Sequence, residues 1–145
     1  MSIGVTHVRV TEEPLSLERL ATLVGRPGAG AIVTFQGTTR DVERLTYEAY
    51  TEMAQARIAA IVAEAIERHG LESAAAEHRV GTVALGEASV AVAVSAAHRD
   101  EAFAGAREII DRIKAEAPIW KKEVDAGAER WVEGVPPPHD DGRVA

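Results

Sequence analysis

Residues 88–115 read ASVAVAVSAAHRDEAFAGAREIIDRIKA, and this stretch decides the fold. Val90, Val92 and Val94 share one face of a predicted strand, and the alanines between them form the other face. From residue 99 onwards, apolar residues recur every three or four positions, which is the spacing of a helix with one buried stripe. A buried strand that leads directly into such a helix predicts a sheet covered by helices, and the alanine face lets a helix pack closely.

The patterns on either side supply the other predicted elements. Thr51–His69 has the same helical spacing, and Gly70 ends it. A shorter helix begins after Ser16, a residue type that caps helix N-termini, and ends in the glycine-rich segment 25–30. The remaining predicted strands are Val5–Val10, Ala31–Phe35, Leu45–Tyr50, His78–Ala84, Ile119–Val124 and Arg130–Glu133.

Strands and helices do not alternate strictly along the chain, so we predict an α+β fold rather than a parallel doubly wound sheet. We expect a mostly antiparallel sheet covered on one side by two long helices and one short helix, with Ala31–Phe35 and Leu45–Tyr50 as neighbouring strands. The 145 residues are the size of a single domain, which we place at 1–134. A mobile tail is expected at 135–145, because three prolines and a polar run leave it without apolar content.

Composition argues against several classes of function. The chain has no cysteine, so any sulfur chemistry must use sulfur brought from outside. The 16 Lys and Arg against 23 Asp and Glu give a net charge of −7, which argues against a general nucleic-acid surface. The five histidines lack paired metal-ligand spacing, so we expect neither a metal nor a cofactor. Without a long apolar run or a signal peptide, a soluble, cytoplasmic protein is expected.

The segment Ser95-Ala-Ala-His98-Arg99-Asp100 places basic residues where a strand ends and a helix begins. Free backbone N–H groups and the positive end of the helix dipole meet at such a point, so His98 and Arg99 are candidate ligands of a phosphate or carboxylate. Arg40, in the loop after Gly37, is a third candidate. The alternative for all three is an ordinary solvated surface position, which the spacing leaves open.

Two lysines form a second candidate site. A helical wheel places Lys114 close to the direction of Ile110 and Phe103, so it projects from the buried stripe in the last turn of its helix. Lys121, in the strand that turns back after Pro118, can approach it. Two converging lysines would bind an anion strongly, and a partly buried lysine is usable as an acid, base or nucleophile. The alternatives are a helix-terminal lysine that reaches to water and an exposed edge-strand charge.

In combination, several motifs give residues 4 to 133 a resemblance to the molybdopterin synthase catalytic subunit family. They are Phe35-Gln-Gly-Thr-Thr-Arg40, Tyr47-Glu-Ala-Tyr50, His78-Arg-Val-Gly81, Ser95-Ala-Ala-His98-Arg99 with Ala102-Phe103, and Lys114 with Ala117-Pro-Ile-Trp-Lys-Lys-Glu123 and Trp131. Each motif alone is weak, but their order along the chain is specific.

The resemblance implies a sulfurtransferase of molybdenum cofactor biosynthesis. Such a catalytic subunit forms a homodimer, and each copy binds a small ubiquitin-like sulfur-carrier subunit, which gives a heterotetramer. The carrier's C-terminal Gly-Gly tail ends in a thiocarboxylate, whose sulfur is transferred to cyclic pyranopterin monophosphate to form the molybdopterin dithiolene. The missing cysteine fits this implication, because the partner supplies the sulfur.

The resemblance also implies roles for individual residues. Lys114 would be the acid, base or transient nucleophile at the thiocarboxylate carbonyl, and Lys121 would stabilise developing negative charge or bind the phosphate. The implied substrate-binding or bracing residues are Arg40, His98, Arg99, Phe35, Ile110 and Glu123.

Two positions depart from the family pattern. Only six residues separate Arg40 from Tyr47, where family members commonly carry a longer polar insertion, so this loop is shorter than one that would supply a lid or a substrate contact. After Glu133, Gly134 and Val135 stand where some relatives have an arginine, a contact that Arg130 or a neighbouring subunit would have to supply. Two rival hypotheses are a non-catalytic module of the same fold that binds a pterin phosphate or a carrier tail, and an unrelated acidic α+β protein.

Overall fold

A computed structural model describes residues 4–132. Its elements are, in chain order, β1 (Thr6–Thr11), α1 (Leu17–Val24), β2 (Ala31–Thr38), β3 (Arg44–Ala49), α2 (Thr51–His69), β4 (Ser73–Arg79), β5 (Gly81–Ala84), β6 (Ala88–Ala96), α3 (Arg99–Glu116), β7 (Ile119–Asp125) and β8 (Ala128–Val132). These residues form one α+β domain, as the sequence predicts. Glu133 of the last predicted strand and the predicted tail at 135–145 lie outside the described residues.

The described strands form two four-stranded sheets. The first has the order β1-β4-β6-β2, in which β1 and β4 are parallel and the other pairs antiparallel. The second has the order β5-β3-β7-β8 and is antiparallel throughout. The prediction of mostly antiparallel pairing is confirmed, but β2 and β3 are not neighbours. β2 pairs with β6, and β3 with β5 and β7, so this part of the prediction is wrong.

Helices cover both faces of the first sheet, so the prediction that they share one side is also wrong. Helices α2 and α3 bury their apolar stripes against the valine face of β6. Helix α1 packs Leu20 and Val24 on the opposite face, against Ala75, Ala91 and Ala93. The alanine face does accept a helix at close range, but that helix is the short one.

The helix ends follow the local chemistry of the sequence. The Oγ atom of Ser16 accepts a hydrogen bond from the backbone N–H of Arg19 at 3.2 Å, which satisfies one of the free donors at the start of α1. Gly70 ends α2 in the left-handed conformation with φ 64° and ψ 40°, and its N–H donates to the carbonyl of Ile66.

Most of strand β4 was not predicted from the sequence. The sequence assigned a single strand to His78–Ala84, whereas the structure has two strands that belong to different sheets. Ala74, Ala75 and Ala76 are fully buried in β4. Alanine has low strand propensity, so only the tertiary contacts with β1 and β6 identify this segment as a strand.

A buried carboxylate joins β4 to β1 and α1. The side chain of Glu77 is inaccessible to solvent, and its oxygens accept hydrogen bonds from His7 at 2.6 Å, Arg9 at 3.2 Å and Arg19 at 3.0 Å. Burial alone would raise the pKa of this carboxyl, but hydrogen bonds from His7 and Arg9 and the charges of Arg9 and Arg19 outweigh it and hold the pKa below its ordinary value. The ionised Glu77 is therefore part of the folded structure.

The left-handed backbone of Gly70 gives a first prediction. A Cβ atom at this position would meet no other atom within 4 Å, so substitution tests the backbone conformation alone. We expect Gly70→Ala to lower the free energy of unfolding by about 1 kcal/mol. Gly70→Asn should lose less, since asparagine tolerates this conformation. Urea denaturation measures both variants, and equal losses would contradict the explanation.

The Glu77 cluster gives a second prediction. Glu77→Gln should lower the free energy of unfolding by about 1–3 kcal/mol at pH 7, because charge-assisted hydrogen bonds are lost from a buried position. The lowered pKa of Glu77 contributes stability above its ordinary value of 4.5, and that contribution disappears as the pH falls through the lowered value. The difference between wild type and variant should therefore shrink below pH 4.5.

Glu13→Gln is the matched control for that variant. Glu13 also accepts a hydrogen bond from Arg9, at 2.9 Å, but its side chain is 72% exposed. An exposed ion pair contributes little, so this variant should unfold like wild type at every pH. A larger effect at Glu13 than at Glu77 would show that burial does not decide the strength of this cluster.

Candidate active site

A cleft of about 210 Å³ lies where the C-terminal end of α3 meets both sheets. The side chains that line it come from β3, β4, β6, α3, β7 and β8 and from the segments between them. They are Tyr47, His78, Ser89, Val90, Ile110, Ile113, Lys114, Ala117, Ile119, Trp120, Lys121 and Val132. The cleft thus combines an apolar wall with two lysines, a histidine and two hydroxyl groups.

The turn after α3 brings the two lysines to this cleft. Lys114 lies in the last turn of α3, next to the buried Ile110 and Ile113. Pro118 follows the helix, and β7 then runs back alongside β3, where Lys121 pairs with Tyr47. Lys114, Lys121 and Ile110 therefore line one cleft, which is the convergence that the sequence predicts for the lysines.

Lys122 has the opposite orientation, as strand alternation requires. Its Nζ atom lies 3.5 Å from Glu129 and 4.9 Å from the centroid of the Trp131 ring. Lys122 is not among the residues that line the cleft. The adjacent lysines of β7 thus occupy different environments.

His78 also lines the cleft. The sequence indicated it only as part of the motif His78-Arg-Val-Gly81 and not as a site residue. It is 8% exposed, and its Nδ1 atom donates a hydrogen bond to the carbonyl oxygen of Arg79 at 2.8 Å. Burial, together with the charges of Lys114 and Lys121, lowers its pKa to about 4 despite the hydrogen bond to Arg79, which acts in the opposite direction. At neutral pH the imidazole is uncharged. In the sequence, Ala74, Ala76 and His78 are spaced like residues on one face of a strand. This spacing indicates a shared environment only if β4 is already known to be a strand.

Two further cleft residues hold hydroxyl groups close to His78. The Tyr47 ring meets the imidazole edge to face, with centroids 5.1 Å apart. Burial raises the pKa of Tyr47, and a hydrogen bond with Ser89 opposes that shift. The Oγ atom of Ser89 also donates to the carbonyl oxygen of Gly37 at 3.5 Å. Tyr47 therefore stays protonated at neutral pH.

The predicted anion ligands at the start of α3 lie far from the lysines within one chain. His98 and Arg99 are exposed at the N-terminus of α3, and Arg99 precedes Lys114 by 15 residues. At the rise of an α-helix this separation is about 22 Å. Arg40 is also exposed, and its guanidinium lies 3.3 Å from the carboxylate of Asp41. None of these three residues lines the cleft.

The other two predicted residues have structural contacts. Phe35 packs against the main core cluster from β2. Glu123 accepts a hydrogen bond from Arg130 on the neighbouring strand, two residues beyond Lys121 along β7. Neither residue lines the cleft.

Within residues 4–132, no group of three His, Asp or Glu side chains is arranged to hold a metal ion. No helix of this part of the chain is long and apolar enough to cross a membrane. What the cleft presents is positive charge, hydroxyl groups and an uncharged imidazole, which suits an anionic organic ligand.

Comparison with known proteins gives consistent matches. The sequence model described as MoaE protein matches residues 10–116. A molybdopterin synthase catalytic subunit of Oryza sativa subsp. indica is 50% identical over 125 residues, which cover 82% of this chain and 65% of the rice protein. The protein of the same name from Thermoplasma volcanium is 46% identical over 125 residues, covering 82% of this chain and 91% of that protein. The chain thus spans about two thirds of the rice protein and nearly all of the archaeal one.

A solved structure shares the fold. The crystal structure of molybdopterin synthase from Staphylococcus aureus has a TM-score of 0.82 and 32% sequence identity, and the match covers 86% of this chain and 96% of that chain. Because the family model spans most of the sequence and the relatives are this similar, the chain belongs to the MoaE protein family.

Proposed function

We propose that this chain is the catalytic subunit of a molybdopterin synthase. It would transfer sulfur from the C-terminal thiocarboxylate of a small ubiquitin-like carrier subunit to cyclic pyranopterin monophosphate, forming the dithiolene of molybdopterin. The observation that carries the proposal is the pairing of Lys114 and Lys121 in one cleft of a chain that belongs to the MoaE family. The relatives' name, catalytic subunit, itself implies a partner subunit.

The chemistry of the cleft fits both reactants. A thiocarboxylate and a phosphate ester are anions, and two ammonium groups attract them to the same place. Ile110, Ile113 and Val90 form an apolar wall beside the lysines, and a ligand that covers this wall would displace water and so strengthen its attraction to the ammonium groups. A Gly-Gly tail has no side chains, so a narrow cleft can admit it.

The two lysines have distinct proposed roles. Lys114 acts on the thiocarboxylate carbonyl as an acid, base or transient nucleophile. Lys121 stabilises the negative charge that develops during transfer, or binds the phosphate. The sulfur itself comes from the carrier, which is consistent with a chain that contains no cysteine.

Arg40, His98 and Arg99 enter the proposal as anion ligands that a second copy supplies. The length of α3 separates His98 and Arg99 from the lysines of their own chain, and all three side chains are exposed. A homodimer would let the α3 N-terminus of one copy approach the cleft of the other. Glu123 would brace β7 through Arg130, while Phe35 would support the cleft from the core. With two carriers bound, the assembly is a heterotetramer, and we place it in the cytoplasm.

Reconstitution tests the catalytic role of the lysines. Purified chain and thiocarboxylated carrier should convert cyclic pyranopterin monophosphate to molybdopterin. Lys114→Ala and Lys121→Ala should each lower the rate on the order of 100-fold or more, because each removes a charge or proton carrier from the reacting atoms. Lys122→Ala is the matched control and should keep the wild-type rate, since Lys122 faces Glu129 and Trp131 instead.

Binding of the carrier, measured by calorimetry, separates the possible outcomes. Lysine variants that bind the carrier but do not turn over support the proposed roles. If wild type binds the carrier and yields no dithiolene, the chain is a non-catalytic module, and the short loop after Arg40 becomes the first feature to restore. Loss of activity in Lys122→Ala alone would place the site on the other face of β7.

A further inference from the structure

The imidazole of His78 has a defined tautomer. A carbonyl oxygen can only accept a hydrogen bond, so the contact of 2.8 Å with Arg79 requires the proton on Nδ1. The opposite ring nitrogen, Nε2, is then an unprotonated acceptor. Because His78 lines the cleft and its Nδ1 edge is held by the backbone, the Nε2 edge is the one that remains for the cleft.

The surroundings of His78 keep it in this form. Lys114 approaches from α3, Lys121 from β7 and the Tyr47 ring from β3. Its neighbours in the first sheet, Val10 on β1 and Val90 on β6, carry no charge. The described residues that line the cleft include no Asp or Glu. A second proton on His78 would therefore add a positive charge beside two lysines.

A neutral acceptor has a specific use beside lysines that must bind an anion. A flexible lysine needs a hydrogen-bond partner to hold its ammonium group in one place. A carboxylate at the position of His78 would hold it but would cancel one positive charge. An uncharged imidazole holds the ammonium group and leaves its charge available to the ligand.

We propose that His78 is a positioning residue of the lysine cleft, whose Nε2 atom accepts a hydrogen bond from one of the two cleft lysines and aims its ammonium group at the anionic substrate. The identity of that substrate rests on the proposed function; the hydrogen bond itself does not. The inference rests on the cleft that His78 lines together with Lys114 and Lys121, and on the Arg79 carbonyl that fixes the imidazole proton on Nδ1.

Kinetics of the reconstituted synthase give the first test. His78→Leu removes the acceptor and should lower kcat on the order of 10- to 100-fold, with KM for the carrier little changed, because misaimed ammonium groups still attract an anion. His78→Gln retains an acceptor oxygen and should recover part of that loss. His69→Leu is the matched control: His69 pairs with Glu108 at 2.8 Å, lies outside the cleft, and should leave kcat unchanged.

Nuclear magnetic resonance gives a second test that does not require turnover. Long-range proton–nitrogen spectra of the histidine rings should show His78 protonated on Nδ1 at neutral pH. The Nε2 resonance of His78 should move in Lys114→Met or Lys121→Met, while the resonances of His69 stay in place. This measurement uses the wild-type fold and remains decisive if His78→Leu does not fold.

The outcomes distinguish the two proposals. A wild-type kcat in a folded His78→Leu, or an Nε2 resonance that ignores both lysine variants, overturns the role of His78 and leaves the proposed function standing. Absence of product from wild type overturns the proposed function, whereas the spectra still decide whether His78 holds one of the lysines.

Discussion

The position of the site depends on the very short connection through which the chain passes from the first sheet to the second. Strand β4 ends at Arg79 in the first sheet and β5 begins at Gly81 in the second, with only Val80 between them. The N–H of Val80 donates to the carbonyl of Thr11 at 2.8 Å, and Gly81 adopts a φ of 82° that favours glycine. Because so short a connection cannot be moved far, the second sheet is fixed against the end of the first.

The connection between β4 and β5 also determines which residues of neighbouring strands meet at the cleft. Gly81 on β5 pairs with Tyr47 on β3, and Tyr47 pairs with Lys121 on β7. These three residues therefore lie side by side across the second sheet. His78 lies at the end of β4, close enough for its ring to contact Tyr47. The position of Lys121 beside His78 thus follows from pairing between strands and not from any segment alone.

The sequence predicted what is encoded locally and failed where pairing decides. The bounds of α2, the cap at Ser16 and the stop at Gly70 follow from periodicity and from side-chain chemistry within a few residues. The same reasoning assigned Leu45–Tyr50 to the sheet of Ala31–Phe35, since neighbouring strands usually pair. The actual partners of these strands come from distant parts of the chain. For the site, the helical wheel correctly oriented Lys114 with Ile110 towards one cleft, but Lys114 and Phe103 are exposed and not part of a buried stripe. The environment of His78 required knowledge of β4, whose alanines carry no strand signal.

The distribution of charge separates the cleft from the rest of this acidic chain. Along the seam between α2 and α3, Arg112 binds Glu64, Glu108 and Glu116, so cation and carboxylate lie together at the surface. The buried carboxylate of Glu77 has its own cations. The described wall of the cleft instead combines two lysines with apolar side chains, hydroxyl groups and an uncharged imidazole. Two ammonium groups on one wall attract an anionic ligand more strongly than either would alone. A ligand that brings negative charge suits this composition, because an uncharged imidazole near the lysines, unlike a carboxylate, leaves their charge available to that ligand.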